Sequence, residues 1–138
     1  MKTIKKVSIS SLVILLGILL FNLNVSAQTQ PKPWDAPADC KTMKNPIAAG
    51  DASNKAGLPL YTKNCASCHG KTGLGDGVKA RALKTFPGDF SKDAFQKQTD
   101  GEHFYKTKFG RDEMPKYEGK LSDDDIWNIV NYMRTFKK

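Results

Sequence analysis

The sequence lacks the alternation of β-branched or aromatic residues with polar ones that strands require, from about Ala48 to its end. Helical patterns separated by glycine-rich loops occupy that part instead. With 138 residues, the chain is also too short for two domains of ordinary size, since domains mostly contain about 100–150 residues. We therefore predict one all-α domain over 48–138 and exclude a multidomain enzyme.

A strong excess of one charge is missing as well. Lys and Arg total 22 against 14 for Asp and Glu, and 39% of the residues are hydrophobic. Disordered chains combine low hydrophobicity with high net charge, so this composition predicts a folded, modestly basic protein. We find no internal repeat.

A nucleotide-binding loop is not indicated either. Residues 70–77 read Gly-Lys-Thr-Gly-Leu-Gly-Asp-Gly, but they follow no strand and lack the Gly-Lys-Ser/Thr ending of a phosphate-binding loop. Glycines tolerate positive φ, so the segment predicts an irregular loop.

Residues 1–27 are typical of a signal peptide. A lysine-rich start precedes an apolar core, and residues 25–27 supply small side chains for cleavage before Gln28. Removal takes away three lysines and no acidic residue, which leaves 19 basic and 14 acidic residues and a formal charge of +5. The alternative is an uncleaved anchor, because the apolar stretch approaches membrane-spanning length. With a cleaved signal peptide or an uncleaved anchor, the rest of the chain lies outside the cytoplasm, so we predict a periplasmic protein. Nucleic acid is not an expected partner of such a protein.

Residues 28–47 predict a proline-rich N-terminal arm. No helix can run through its prolines, which are Pro31, Pro33, Pro37 and Pro46. We expect Trp34 to dock on the domain surface at most, since an isolated aromatic residue in such a segment is usually peripheral.

Two helices have clear start signals. Thr99 and Glu102 form a capping box for a helix over 100–109. Ser122 caps a final helix over 123–136, which begins with three aspartates that favour the helix dipole. Its apolar stripe follows the spacing of one helix face and comprises Ile126, Ile129, Val130 and Met133.

The motif of highest specificity is Cys65-Ala66-Ser67-Cys68-His69. Cys-x-x-Cys-His is the attachment motif of c-type haem. Two thiols one helical turn apart can each add to a haem vinyl group, and the next residue then offers an imidazole to the iron. We predict covalent haem attachment at Cys65 and Cys68, with His69 as an axial iron ligand.

Three alternatives remain for these cysteines. A thioredoxin-like redox pair would require a βαβ unit, and a zinc site would require four ligands, drawn from Cys65, Cys68, Cys40 and a histidine. A disulfide between cysteines three residues apart would close a very short loop and gain little stability.

Met114 is the candidate sixth iron ligand. It lies in a polar segment, 111–117, where an apolar side chain is hard to explain as core, and Pro115 stiffens the adjacent backbone. Met133 lies on the stripe of the final helix and is expected in the core. We expect His103 to be exposed or partly packed, with ligation by two histidines as the alternative to Met114.

These features together resemble the class I, monohaem c-type cytochromes. The resemblance covers about 48–136 and rests on the haem motif with residues 61–64 before it, on 75–77, 87–90 and Met114-Pro115, and on 121–127 with Tyr132. It implies an all-α fold around one covalently attached haem c and its iron. It also implies crossed N- and C-terminal helices, with Gly57 and Tyr61 against Trp127 and Tyr132.

The sequence departs from the family pattern at three positions. Val78 replaces a frequent proline, so the carbonyl that orients His69 is not assigned. Pro59 requires the helix before Cys65 to start near Leu58 or to bend. Cys40 has no counterpart in the motif and either pairs between chains or stays buried as a thiol.

The resemblance implies an electron carrier of a respiratory chain rather than an enzyme. The expected partners are redox proteins, with acidic docking surfaces if the basic residues around the haem steer association. Those residues are Lys63, Lys71, Lys79, Arg81, Lys84, Lys106, Lys108, Arg111 and Lys116. The alternatives are a haem subunit of a larger membrane redox complex, and a haem enzyme or gas sensor with an open sixth position.

Overall fold

The computed structural model of this protein describes residues 28–138; the predicted signal peptide, 1–27, lies outside the described residues. Six α-helices follow one another in the described part, with a 3-10 turn at Ala80–Ala82 between the third and the fourth. They are α1 (Ala38–Thr42), α2 (Asp51–Asn64), α3 (Ala66–His69), α4 (Asp93–Gln96), α5 (Asp100–Phe109) and α6 (Asp123–Arg134). Isolated bridges but no strands occur in residues 28–138, so the all-α prediction is confirmed.

Helices α5 and α6 begin at the predicted caps. The Glu102 amide donates to Thr99 Oγ1 (3.2 Å), and the Thr99 amide donates to Glu102 Oε2 (2.7 Å). Ser122 and Asp125 exchange the same pair of bonds at the start of α6. The limits of α5 match the prediction, whereas α6 ends at Arg134, two residues earlier than expected.

Helix α2 starts earlier than the sequence indicated. It runs from Asp51 to Asn64 with Pro59 in its interior, so a start near Leu58 is wrong. A capping interaction between Gly50 and the Ser53 hydroxyl opens the helix. Proline removes one hydrogen bond from a helix, and packing against α6 compensates for that loss along much of α2.

Helices α2 and α6 cross at Gly57. A Cβ atom added there would come within 2.9 Å of Tyr132 Cβ and 2.8 Å of the Asn128 carbonyl carbon, so a larger residue would force the helices apart. One turn later, the Tyr61 ring packs against Tyr132 and Phe136, with ring centroids 5.4 and 5.2 Å away. The predicted crossing is therefore present.

Trp127 has a different partner from the one expected. It stacks on Phe104 of α5, with ring centroids 4.1 Å apart, and thereby joins α5 to α6. The neighbouring residues Ile126, Ile129 and Val130 have no exposed surface. The stripe of α6 thus forms the centre of the core, and Met133 lies in it as predicted.

The arm contains a helix that was not predicted. Helix α1 fits between Pro37 and Pro46 and packs on α5, where a Cβ on Gly101 would overlap the Cys40 carbonyl. Cys40 is buried there and takes part in no disulfide. Asn45 donates to Asn131 Oδ1 of α6 (2.8 Å), so the second half of the arm is attached to the domain.

None of the helices in residues 28–138 combines the length and the apolar composition needed to cross a membrane.

His103 lies in the core, which corrects the prediction that it is exposed or partly packed. Only 2% of its surface is exposed, its ring stacks on Phe95 (centroids 4.0 Å apart), and its Nε2 atom has no hydrogen-bond partner. Burial, with nearby Arg134 and Lys106, lowers the pKa of His103 to about 3. Its imidazole is therefore neutral in the folded protein.

Because His103 is buried in its neutral form, we predict that the protein becomes less stable as the pH falls. Below about pH 6.5 the unfolded chain protonates His103, whereas the folded protein does not until about pH 3. Between pH 7 and pH 5 the free energy of unfolding should fall by about 2 kcal/mol more in the natural protein than in His103→Leu. Guanidinium unfolding of both proteins at the two pH values measures this difference. Equal losses would show that His103 does not titrate differently on unfolding.

Candidate functional site

The cysteine motif forms one tight turn directly after α2. The amides of Cys68 and His69 both donate to the Cys65 carbonyl, at 3.1 and 3.0 Å. Helix α3 consists of this turn, Ala66–His69, which we call the attachment turn together with Cys65. It brings two thiols and an imidazole to one side of the chain, as the motif predicted.

The glycine-rich loop 70–77 folds back over the attachment turn. Gly77 donates to the Cys68 carbonyl (3.2 Å), Gly75 donates to the His69 carbonyl (2.9 Å), and Lys79 donates to the Ser67 carbonyl (2.8 Å). A Cβ at Gly77 would lie 2.5 Å from the Ser67 carbonyl carbon. The loop therefore needs glycine for close approach, and its backbone amides hold the attachment turn in place.

A large, mainly apolar space lies in front of the attachment turn. Two adjoining cavities of about 430 and 800 Å³ share His69, Met114 and Met133 in their walls, and we call them together the central cavity. Cys65 and Cys68 line its smaller part, and His103 and Lys106 line its larger part. Its size is in the range of small-molecule and cofactor sites.

His69 is held by aromatic packing and by backbone. Its ring lies against Phe90 with centroids 4.5 Å apart. Burial lowers the pKa of His69 to about 4, and the Pro87 carbonyl opposes part of this shift. The Pro87 carbonyl does not form a hydrogen bond with Nδ1, because this buried atom has no partner. The imidazole is neutral at pH 7, which is the form that binds a metal.

Met114 lies on the same cavity as His69. Its amide donates to the Arg111 carbonyl (2.8 Å), and the Arg111 amide donates to the Met114 carbonyl (2.9 Å). Asp112, between them, has a positive φ of 51°. Glu113 attaches this tight turn to the 84–85 segment, because its carboxylate accepts hydrogen bonds from the amides of Lys84 and Thr85 at 3.0–3.1 Å.

Tyr117 also lines the central cavity, and sequence reasoning did not single it out. The Tyr117 hydroxyl donates to the Asn64 carbonyl (2.6 Å) and so joins the segment after Met114 to the end of α2. Burial raises the pKa of Tyr117 to about 12, so it remains a neutral donor. Nothing in the sequence indicated this contact, because it joins residues more than 50 positions apart.

The environment of the thiols disfavours the alternatives to haem. Burial, with Cys68 nearby, raises the pKa of Cys65 to about 12, whereas a redox thiol pair requires a lowered value. Cys65 and Cys68 are not joined by a disulfide. Within residues 28–138, no group of three or more His, Cys, Asp or Glu side chains is arranged to hold a metal ion, and Cys40, which belongs to α1, is buried against α5.

Trp34 is not the peripheral residue that the sequence indicated. Half-buried, it lines both parts of the central cavity. Arg111 lies over its ring, with the guanidinium carbon 4.6 Å from the centroid, and the Lys106 ammonium lies 5.9 Å from it. A contact this distant in sequence left no local pattern by which it could have been found.

The donor set and the shape of the central cavity fit a covalently bound haem. Two thiols one turn apart can form thioethers with the two vinyl groups, and a neutral imidazole in the same turn can reach the iron. Phe90, Ile129 and Met133 provide apolar walls for a porphyrin. The buried, unpartnered Nε2 of His103 borders the larger part of the cavity, which is consistent with a space that a further group completes.

Comparisons with known proteins identify similar c-type cytochromes. The sequence profile of the family described as "Cytochrome C oxidase, cbb3-type, subunit III" matches residues 52–133. Cytochrome c6 of Picosynechococcus sp. is 36% identical over 94 residues, which are 64% of this chain and 75% of that protein. Cytochrome c6 of Diacronema lutheri is 34% identical over 90 residues, 61% of this chain and 94% of that protein.

A solved structure shares the fold. A chain of the Kuenenia stuttgartiensis reducing HAO-like protein complex has a TM-score of 0.59 and 25% identity, and the match covers 67% of this chain. This chain corresponds to 47% of that longer one.

The attachment turn, the apolar cavity before it and the matches over most of the domain lead to one conclusion. The chain belongs to the monohaem c-type cytochrome family, and it is a haem electron-transfer protein that carries one covalently bound haem c.

Proposed function

We propose that this chain is an exported, periplasmic one-electron carrier of a respiratory chain, with His69 and Met114 as the axial ligands of its haem iron. Export rests on the predicted signal peptide, 1–27, which precedes the proline-rich arm, 28–47, and the cytochrome domain, 48–138. The observation that carries the proposal is that Met114 and His69 line one cavity with the haem-attaching thiols.

The residues around the cavity determine how the haem works. When bound, the haem supplies exchange of one electron between its ferric and ferrous states. Cys65 and Cys68 hold it covalently, so that it stays in place during turnover. The Met114 thioether is a soft ligand that favours ferrous iron and raises the potential, while apolar Ile129 and Met133 keep water from the site. With His69 and Met114 both bound to the iron, the haem would offer no open position to a substrate, so the chain would act as a carrier rather than as an enzyme.

Replacement of Met114 tests this assignment. Met114→Ala should lower the reduction potential and allow the ferrous protein to bind carbon monoxide, because the thioether no longer fills the sixth position. Axial ligands set haem potentials over about 0.8 V, so the change should be large. A redox titration and absorption spectra with carbon monoxide measure the two effects.

Met133→Leu is the matched control, since Met133 lines the same cavity but is 5% exposed and part of the core. It should retain the natural potential and exclude carbon monoxide. A natural potential in Met114→Ala, or equal changes in the two variants, would contradict the role of Met114.

We also propose that exposed basic residues at the cavity rim steer acidic redox partners. Three of the nine basic residues near the haem are partly buried in internal contacts: Lys106, Lys108 and Arg111. The other six are exposed, and two of these, Lys63 and Lys79, line the cavity beside the cysteines. Charge at that position accelerates association with a partner of opposite sign.

Small redox reagents of opposite charge test the rim without a known partner. The variant Lys63→Glu with Lys79→Glu should react about tenfold more slowly with anionic hexacyanoferrate(III), and faster with cationic hexaammineruthenium(III), at low ionic strength. High salt should remove the difference. Lys55→Glu, on the first half of α2, is the control and should change neither rate. Rates that are indifferent to the rim charges and to salt would refute steering.

A haem subunit of a larger membrane redox complex is a second candidate. Two comparisons favour it, since the matching profile bears the name of an oxidase subunit and the similar solved chain belongs to a protein complex. The site chemistry would be the same in both settings. Recovery of the native protein from membranes with other redox subunits separates this candidate from a free carrier.

A further inference from the structure

We propose that residues 28–34 form a strap that closes the solvent side of the haem cavity and, through Arg111, positions the Met114 loop. The second part of this proposal rests on the assignment of Met114 as iron ligand. The strap is the first half of the arm, and its contacts involve segments that the haem motif does not include.

One end of the strap is attached to the loop after the 3-10 turn. The Thr29 amide donates to the Lys84 carbonyl (3.1 Å), and the Phe86 amide donates to the Thr29 carbonyl (3.0 Å). The Gln28 side-chain amide donates to the carbonyls of Ala80 and Leu83. Backbone bonds of this kind fix the register of the strap on the loop.

The other end is held by Arg111. Two nitrogens of its guanidinium donate to consecutive strap carbonyls, those of Pro33 (2.9 Å) and Lys32 (3.0 Å). The same guanidinium lies over the Trp34 ring. A planar, forked donor can make both bonds while it stacks on an aromatic face, and a lysine ammonium cannot.

Between these two ends the strap covers the cavity. Pro31 and Trp34 belong to the walls of both of its parts, next to Met114. Ala36, directly after the strap, is 5% exposed. External ligands and solvent that approach the Met114 side therefore meet the strap first.

Arg111 also connects the strap to Met114. The tight turn in which Arg111 and Met114 exchange backbone bonds places the anchor of the strap three residues from the proposed ligand. Glu113 ties that turn to the amides of Lys84 and Thr85, where the strap is also attached. The strap, the 80–86 loop and the Met114 turn thus form a closed set of contacts, in which Arg111 and Trp34 are positioning residues.

Binding of imidazole to the ferric holoprotein tests the strap, because imidazole must pass it and displace the sixth ligand. Arg111→Lys should increase the binding rate about tenfold or more, since hydrogen bonds to a charged group are worth one or more factors of ten. Trp34→Ala, which removes the ring under Arg111 and part of the cavity wall, should also increase it. Trp34→Phe keeps an aromatic face for Arg111 and should restore a nearly natural rate. Lys41→Ala, which breaks an exposed ion pair with Asp35 in the arm but outside the strap, should have no effect.

The free energy of unfolding, measured on the same variants, separates positioning from general destabilisation. The strap proposal predicts faster imidazole binding at a nearly unchanged midpoint of unfolding. Rates that follow the unfolding free energy across the variants, or natural rates in Trp34→Ala and Arg111→Lys, would overturn it.

Met114→Ala separates the ligand assignment from the strap proposal. Imidazole should bind to Met114→Ala much faster than to the natural protein if Met114 is the ligand. If that variant is accelerated but the strap variants are not, the strap proposal fails and the ligand assignment stands. If Met114→Ala binds imidazole at the natural rate, the ligand assignment fails. Faster binding in Trp34→Ala would then support only the closing role of the strap.

Discussion

The functional groups of this protein all depend on how firmly the single turn from Cys65 to His69 is held. A haem bonded to two cysteines takes its orientation from that turn, and every other contact must meet it there. Three structures immobilise the turn: helix α2 before it, the glycine-rich loop folded over it, and the Tyr61 hydroxyl, which donates to the Gly70 carbonyl (2.8 Å). Because Tyr61 also packs on α6, the helix crossing and the attachment turn are one mechanical unit.

The part of the cavity wall that contains Met114 is built differently. Its proposed ligand, Met114, lies in a short turn without a helix to support it, and its position comes from side-chain and backbone bonds to two other segments. Such loop contacts open at a lower free energy than a helix core. The Met114 turn is therefore expected to open more easily than the attachment turn.

Sequence reasoning succeeded where function requires a fixed local pattern. The spacing of Cys65, Cys68 and His69 specified covalent haem, and the caps at Thr99 and Ser122 specified the starts of α5 and α6. Gly57 was identified at the helix crossing through the family resemblance, although Pro59 obscured the extent of α2. Of the two alternatives that Pro59 left open, the start near Leu58 was wrong because tertiary packing outweighs the cost of one proline.

Long-range contacts were beyond such reasoning. Trp34 looked peripheral because its partner Arg111 is more than 70 residues away, and the prolines of the arm, which exclude a long helix, concealed both α1 and the strap. His103 looked like a surface residue because polarity predicts exposure, yet the stack on Phe95 buries it. In each case the deciding interaction joins segments whose proximity follows only from the completed fold.

We propose that one covalently attached haem lies in a closed site between His69 and Met114. Absorption spectra of the exported protein, oxidised and then reduced, with and without carbon monoxide, test it most directly. We predict a low-spin haem spectrum that does not change when carbon monoxide is added, and a haem that stays attached to the chain after denaturation. A rapid spectral change with carbon monoxide would contradict the closed site, and a protein that contains no covalent haem would contradict the whole account.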